Sequence, residues 1–364
     1  MKADVAIVGA GMAGASLAAA VAPHASVLLL EGESQPGYHS TGRSAAFWSE
    51  TYGGPLVQPL TSASGPFLAA HGFLKPRGCI HLADEAGKQL LSDMAAEFAD
   101  GTIALDRLGR AELEAIVPGL HPAWRDGLSE PSCADIDVAA LHALYLKAAR
   151  AAGARLVTDA RLIAAERIGG TWSLHTSTGA FEATLLVNAA GAWADEIARM
   201  AGAAPLGIRP YRRTIAQLRV DPPAAPDLPL IIDARGRFYF KPEAGGRLWL
   251  SPHDETPCNP CDSAAEEEDV ALAIHRLEQV VDWQVSRVEH RWAGLRSFAP
   301  DRLPVYGFAP ERPGFFWCAG QGGFGIQTAP AAAAVAAALL LGRASDPIGE
   351  GIDPAPYAAA RLFS

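Results

Sequence analysis

The sequence predicts an α/β chain, α+β overall, in which a Rossmann-type dinucleotide-binding domain is joined to a substrate domain built on a mixed or antiparallel β-sheet. Three observations predict it. An apolar run near the start, Val5-Ala6-Ile7-Val8, leads into Gly9-x-Gly11-x-x-Gly14. Segments between Pro210 and Phe298 alternate apolar and polar residues between turn signals. Two further small-residue segments, Ala189-Ala190-Gly191 and 320–325, lie far along the chain.

Residues 5–8 read as a buried parallel strand, because an unbroken apolar run suits a strand covered on both faces. The three glycines then supply a tight turn, a close approach to a pyrophosphate and the packing of a helix, 13–21, on its strand. A second strand, 26–30, ends at Glu31, seventeen residues beyond Gly14. A carboxylate there can hold ribose hydroxyls and repels a 2′-phosphate. Residues 77–83 read as a strand, 112–116 as a short helix and 138–152 as an amphipathic helix. Short strands follow at 155–157, 164–168, 172–176 and 185–187. The last leads into Asn188 to Trp193 and a helix beginning near Ala194.

Residues 211–220, 230–233, 237–242 and 247–251 read as antiparallel strands, with loops at 222–229 and 252–262. Ser263 with Glu266 reads as a capping box ahead of an acidic first helical turn. A strand at 315–318 feeds the glycine loop 320–328, with Thr328 as N-cap and Pro330 in the first turn of an alanine-rich helix, 329–341. The pattern divides the chain into a discontinuous nucleotide domain, 1–75, 135–200 and 300–364, and a substrate domain, 76–134 and 201–299.

With 364 residues, 49% of them hydrophobic, the chain can bury a large core. A net charge of −10 without a Lys/Arg cluster argues against nucleic acid as a partner. The longest apolar stretch, 329–341, falls short of the roughly 20 residues that span a bilayer, so no transmembrane segment is expected. No secretion signal precedes the first strand. Five scattered cysteines (Cys79, Cys133, Cys258, Cys261, Cys318) suit a reducing compartment, and the cytoplasm is the expected location. Cys258 and Cys261 have CxxC spacing without a second ligand pair, so no metal site is expected.

The final glycine loop opening a helix is itself an anion site by its free amides and dipole. The pyrophosphate already has Gly9 to Gly14, so the second helix end would suit the anionic edge of a reduced flavin. FAD satisfies both sites, whereas NAD leaves one idle.

Four segments, 35–46, 187–193, 292–298 and 321–328, together resemble the D-arginine dehydrogenase branch of the D-amino-acid oxidase and glycine oxidase superfamily of FAD enzymes, and the resemblance runs from the first strand to the last helix. It implies a noncovalent FAD held by Gly9, Gly11, Met12, Ala13 and Gly14; by Glu31 and Gly32; by Ser40, Thr41, Arg43, Ser44, Ala45 and Ala46; by Leu162; by Ala189, Ala190, Gly191 and Trp193; by Gly294; and by Gly322, Gly323, Phe324, Gly325, Ile326, Gln327 and Thr328. It implies a substrate carboxylate held by Arg213, Tyr239 and Arg296, which agrees with the bidentate chemistry of guanidinium and the donor of a phenol. It adds Tyr52 to the catalytic set, and Phe47, Gly78, Gly323 and Phe324 to the pocket.

Phe47 stands where the family has a histidine, and Gly78 where the arginine enzymes have a glutamate. That pocket suits a neutral or hydrophobic side chain better than a cationic one, whose desolvation would go uncompensated. Glu50 reads as an exposed loop carboxylate. The expected activity is oxidative deamination of D-amino acids, with hydride passing from Cα to FAD and electrons leaving to a quinone, another carrier or oxygen. The alternatives are 2-hydroxy acid dehydrogenation, a sarcosine- or glycine-oxidase-like reaction on amines, and a flavin-binding subunit without turnover.

Overall fold

The computed structural model describes residues 2–99 and 103–363. Strands Phe315–Ala319, Gly179–Asn188, Lys2–Val8, Val27–Leu30 and Arg155–Val157 lie side by side in that order, every neighbour parallel. Val305–Phe308 extends one edge antiparallel, and the hairpin Leu162–Ile168/Thr171–Thr176 branches from the first half of Gly179–Asn188.

Alternation along the first two strands divides the core between two faces. Val5, Ile7 and Leu29 pack with Leu17, Val21 and Val335 of helices Met12–Val21 and Ala329–Leu341. Ala6, Val8, Leu28 and Leu30 turn the other way, onto Leu186, Phe315 and Trp317. The first helix is drawn against its strand at Gly14, where a methyl would stand 1.8 Å from the Gly9 carbonyl oxygen. Gly9 itself has φ +100°, and a methyl there would meet the Ala189 carbonyl oxygen at 2.4 Å.

The second sheet has ten strands. Its spine is Arg209–Asp221 against Gln284–Phe298, antiparallel from Arg209↔Phe298 to Asp221↔Gln284. Arg247–Ser251, Tyr239–Glu243 and Leu230–Asp233 follow on one side, and beyond them lie Cys79–Ala83, Asp126–Glu130 and Asp106–Leu108. Helix Glu267–Glu278 covers the apolar face with Val270, Ala273 and Leu277. The two-residue strand Gln321–Gly322, inside the last glycine loop, pairs with Ser297–Phe298, so the loop is an edge of this sheet. A third sheet joins Phe47–Trp48, Ala134–Ile136 and Leu74–Pro76. No helix of the described residues is long and apolar enough to cross a membrane.

Four expectations differ. The strand expected over 77–83 begins only at Cys79 and follows a separate strand, Leu74–Pro76, because the chain bends at Arg77-Gly78, where both amides donate to the Cys133 carbonyl. The antiparallel series contains one parallel pair, Leu230–Asp233 beside Cys79–Ala83. Ser263 caps nothing: the helix starts at Glu267, with Glu266 at the N-cap position and no side-chain cap, since the Glu266 carboxylate is drawn to Arg212. Thr328 precedes the last helix, but its hydroxyl turns back to donate to the Phe324 carbonyl at 2.9 Å.

Overpacking at a closed contact costs about 1–3 kcal/mol. Gly14→Ala is expected to lower the urea unfolding free energy by that amount. Gly32→Ala, whose methyl meets nothing closer than 3.8 Å, is expected to leave it nearly unchanged.

Candidate active site

A continuous cleft is lined from both large sheets, running from Gly9, Glu31 and Trp193 at one end to Arg213, Tyr239 and Arg296 at the other. At the first end the Glu31 carboxylate, at the tip of the second strand, accepts from the Ala10 amide at 2.8 Å and the Glu33 amide at 3.0 Å. It is thereby fixed against the glycine turn. Thr41 Oγ1 accepts from the Met12 amide at 3.0 Å, at the start of the first helix. Ser40 Oγ donates to the Leu295 carbonyl at 2.6 Å, and Arg43 Nη1 donates to the Ser263 carbonyl at 2.6 Å, which ties segment 40–43 to the second sheet. Gly294 lets this segment close in, since a methyl would stand 3.2 Å from Arg43 Cβ.

FAD fits this cradle. A carboxylate fixed by backbone amides stands at one end, glycine-turn backbone forms the wall beside it, and the far wall is cationic. At Gly323 the loop runs close against Tyr52: a methyl there would meet Tyr52 Oη at 2.2 Å. The anion site expected at the start of the alanine-rich helix is not presented to the cleft. The Thr328 amide donates to Phe324, Ala329 to Ile326 and Ala331 to Ser64 Oγ, and Thr328 and Ala329 are buried away from the opening. What faces the cleft is the loop before the helix, Gln321 to Gly323 and Gly325 to Gln327.

The far end is a box of guanidinia and aromatic rings. Arg213 and Arg296 stand on adjacent strands two residues out of register, Arg213 opposite Gly294. Arg296 Nη1 donates to Tyr52 Oη at 2.6 Å. Arg213 Nε donates to the Asp254 carbonyl at 2.8 Å. Glu255 holds three guanidinia at once: Arg296 at 2.6 Å, Arg302 at 2.8 Å and Arg213 at 3.6 Å. Asp254 lies 3.9 Å from Arg213 and 4.0 Å from Arg212, which also pairs with Glu266 and Asp269, so four guanidinia share four carboxylates in one network. Arg213 Nη2 and Arg296 Nε have no hydrogen-bond partner.

Phe47 packs tilted on Tyr52 at 5.3 Å and edge-on to Tyr239 at 6.2 Å between ring centroids. Burial pushes the Tyr52 and Tyr239 phenols above their usual range, so both remain protonated donors. His253, which sequence reasoning missed, also lines the cleft, edge-on to Tyr239 at 5.5 Å. Burial, and then the charge of Arg213, bring its imidazole down to about 3. Its backbone has φ 55°, a left-handed conformation that costs a non-glycine residue on the order of 1 kcal/mol or more and that clusters at functional sites. It sits in a loop with no periodic signal, so nothing in the sequence marked it. Glu255 was missed for the same reason.

The predicted positions line the cleft with four exceptions. Gly14 is behind the turn, Thr328 is buried beside Phe324, and Phe324 supports Tyr52 edge-on at 5.2 Å without reaching the opening. Gly78 lies outside the pocket, where a methyl would meet only Pro229 at 4.0 Å, so its missing side chain does not shape the substrate end. Glu50 accepts from Ser62 and Ser132 and does not line the cleft either. Of the Arg212-Arg213 pair, Arg212 is bound to Glu266 and Asp269, and only Arg213 lines the cleft.

A hydrogen bond to a charged group contributes about 1.5–3 kcal/mol. Arg213→Ala or Arg296→Ala is therefore expected to weaken binding of a simple carboxylate such as benzoate by roughly 10- to 150-fold in equilibrium titration. Arg212→Ala is expected to leave that affinity within about threefold while lowering the melting temperature, because it removes three ion pairs of a side chain that does not line the cleft.

A family model described as FAD dependent oxidoreductase matches residues 4–339. The chain is 34% identical over 192 residues to a glycine oxidase of Pseudomonas aeruginosa, an alignment covering 51% of this chain and 48% of that protein. It thus spans about half the length of that curated relative. Among solved structures it superposes on a glycine oxidase from Geobacillus kaustophilus with a TM-score of 0.85 and 25% identity, over 99% of both chains. An L-alpha-glycerophosphate oxidase from Mycoplasma pneumoniae, solved with FAD bound, matches at TM-score 0.84 and 17% identity over 95% of this chain and 97% of that one, a likeness of fold alone.

Proposed function

This chain belongs to the family of FAD dependent oxidoreductases, and from that premise we propose that it oxidises amino acids or closely related amines at the carbon bearing nitrogen. The observation that carries the reading is the pair of guanidinia, Arg213 and Arg296, that line the cleft with unpartnered N–H groups beside two protonated phenols. Arg213, Arg296 and Tyr239 bind a substrate carboxylate and so fix the neighbouring carbon in one place, which is where most of the rate gain arises. FAD supplies, when bound, the two-electron acceptor for a hydride leaving that carbon. The imine so formed on the substrate hydrolyses in water to a keto acid and ammonia.

The chain's own groups set the conditions for this step. Tyr52 keeps Arg296 oriented and adds a donor at the carboxylate. Phe47 and the two tyrosine rings exclude water from the reacting carbon. The substrate amine must lose its ammonium proton first. His253 stands neutral at physiological pH and can accept a hydrogen bond from the ammonium, but it is too weak a base to keep the proton, which passes on to solvent. Loss of that proton is therefore governed by the substrate's own pKa.

As for substrate class, the acidic residues lining the cleft among those described are Glu31, Glu33 and Glu196, all toward the nucleotide end. A guanidinium or ammonium side chain would meet there only Asp254 and Glu255, which are already engaged by Arg213, Arg296 and Arg302. The finer reading is a neutral or hydrophobic D-amino acid, supported by the resemblance to D-arginine dehydrogenases. Glycine and sarcosine form the second reading, supported by the relatives named glycine oxidase. Electrons then leave to oxygen, a quinone or another carrier.

Anaerobic loss of flavin absorbance on mixing with a panel of amino acids tests both readings. Neutral D-amino acids, or glycine and sarcosine, are expected to bleach the flavin at least about tenfold faster than D-arginine, given the cost of an unpaired buried cation. Bleaching by lactate without ammonia release would replace the reading with hydroxy-acid oxidation, and no bleaching by any member would refute turnover. The second-order rate constant is expected to rise with pH through the substrate's ammonium ionisation, and His253→Gln is expected to keep that limb.

A further inference from the structure

Cys79, His81 and Glu130 bring a thiol, an imidazole and a carboxylate together outside the cleft. The backbone dictates the grouping. Cys79 and His81 are alternate residues of strand Cys79–Ala83, so their side chains leave the same face. Glu130 is the register partner of Cys79 on the antiparallel strand Asp126–Glu130. Pro131 and Ser132 then turn the chain back, the Cys133 amide donating to the Glu130 carbonyl at 3.3 Å, and the Cys133 side chain joins that of Cys79 in one buried cluster. All four side chains are buried, with Cys79, Glu130 and Cys133 at 0% exposure.

Two observations point to a cation. The first is spacing: the ligand atoms of Cys79, His81 and Glu130 all lie within 4.8 Å of one another. Cys79 Sγ is 3.7 Å from His81 Nε2 and 3.7 Å from Glu130 Oε2. Zinc bonds of about 2.3 Å to sulfur and about 2.0–2.1 Å to nitrogen, at a tetrahedral angle, place those two ligand atoms about 3.6 Å apart. The second is charge. Glu130 is fully buried and pairs with no Lys or Arg among the described residues, whereas buried carboxylates are ordinarily paired or bound to metal. Its oxygens accept from Ser49 Oγ at 2.9 Å, Thr51 Oγ1 at 2.6 Å and the Glu50 amide at 2.6 Å, the kind of outer hydrogen bonding that orients a ligating carboxylate.

We propose that Cys79, His81 and Glu130 form a structural zinc site, with the Cys133 thiol, which lies outside that group of three, turning in as fourth ligand. The donor set of thiolate, imidazole and carboxylate suits zinc over calcium or magnesium, and four protein ligands leave no position for substrate. Binding releases the two thiol protons to solvent. The ion locks together strands Cys79–Ala83 and Asp126–Glu130 and the turn after them. Through Ser49 and Thr51 it also holds the segment that carries Tyr52 into the cleft.

The test uses the FAD-loaded protein carrying Cys258→Ser and Cys261→Ser, so that the half-buried and exposed thiols of that loop contribute nothing. After growth with zinc and dialysis against metal-free buffer, elemental analysis is expected to give about one zinc per chain. Replacement by cobalt is expected to give tetrahedral ligand-field bands to the red of the flavin absorption and a thiolate charge-transfer band. Cys79→Ser is expected to retain less than about a tenth of the metal. Should that variant fail to fold, chelator treatment of the parent serves instead, expected to lower its melting temperature reversibly, with recovery on adding zinc. Folded, FAD-loaded protein with under about a tenth of a zinc per chain and no cobalt bands, or a Cys79–Cys133 disulfide found by mass, would overturn the proposal and leave Glu130 as a hydrogen-bonded acid.

Discussion

Two like charges held on neighbouring strands are the constraint around which the substrate end is arranged. Arg213 and Arg296 lie diagonally across the Arg209–Asp221/Gln284–Phe298 pair, close enough to repel in the low dielectric of a buried wall. Glu255 and Asp254 offset most of that repulsion, from a loop that leaves the sheet at Ser251 and returns at Thr256–Pro257. Among the described residues an N–H group of each arginine still has no hydrogen-bond partner, and those groups are what a carboxylate can satisfy. The stiffness of a long antiparallel pair keeps the two cations from separating to relieve the strain.

The nucleotide end was the more legible half in the sequence. Val5–Val8, Gly9, Gly14, Glu31 and the helix after the turn announce themselves by local rules: an apolar run, a turn, a period of 3.6, a carboxylate at a strand end. Such rules act over fewer than thirty residues, so they survive without knowledge of the rest of the chain. Phe47, Tyr52, Arg213, Tyr239 and Arg296 were legible only by resemblance, because four separate elements bring them to one place and no periodicity connects them. His253 and Glu255 were not legible at all, since loop residues owe their position to what the loop packs against.

The misread positions share a cause. Gly78 looks like a pocket residue by its place in the chain, yet a positive φ of 71° turns the backbone at that point, and the cleft closes without it. Ser263 and Thr328 have the chemistry of caps, but nearby partners compete for the same groups: a carbonyl four residues back for Thr328, an arginine on the neighbouring strand for Glu266. Local propensity proposes, and tertiary neighbours of higher charge or closer approach decide.

The two-residue strand in the last glycine loop welds the nucleotide cradle to the strand bearing Arg296. A shift of the loop is thereby passed to the strand that bears the arginine, and a shift of the arginine's strand back to the loop. Nucleotide and carboxylate should consequently bind with mutual reinforcement, each raising the other's affinity by the same factor, as thermodynamic linkage requires. Occupancy of the enzyme by its cofactor would then depend on how much substrate the cell contains.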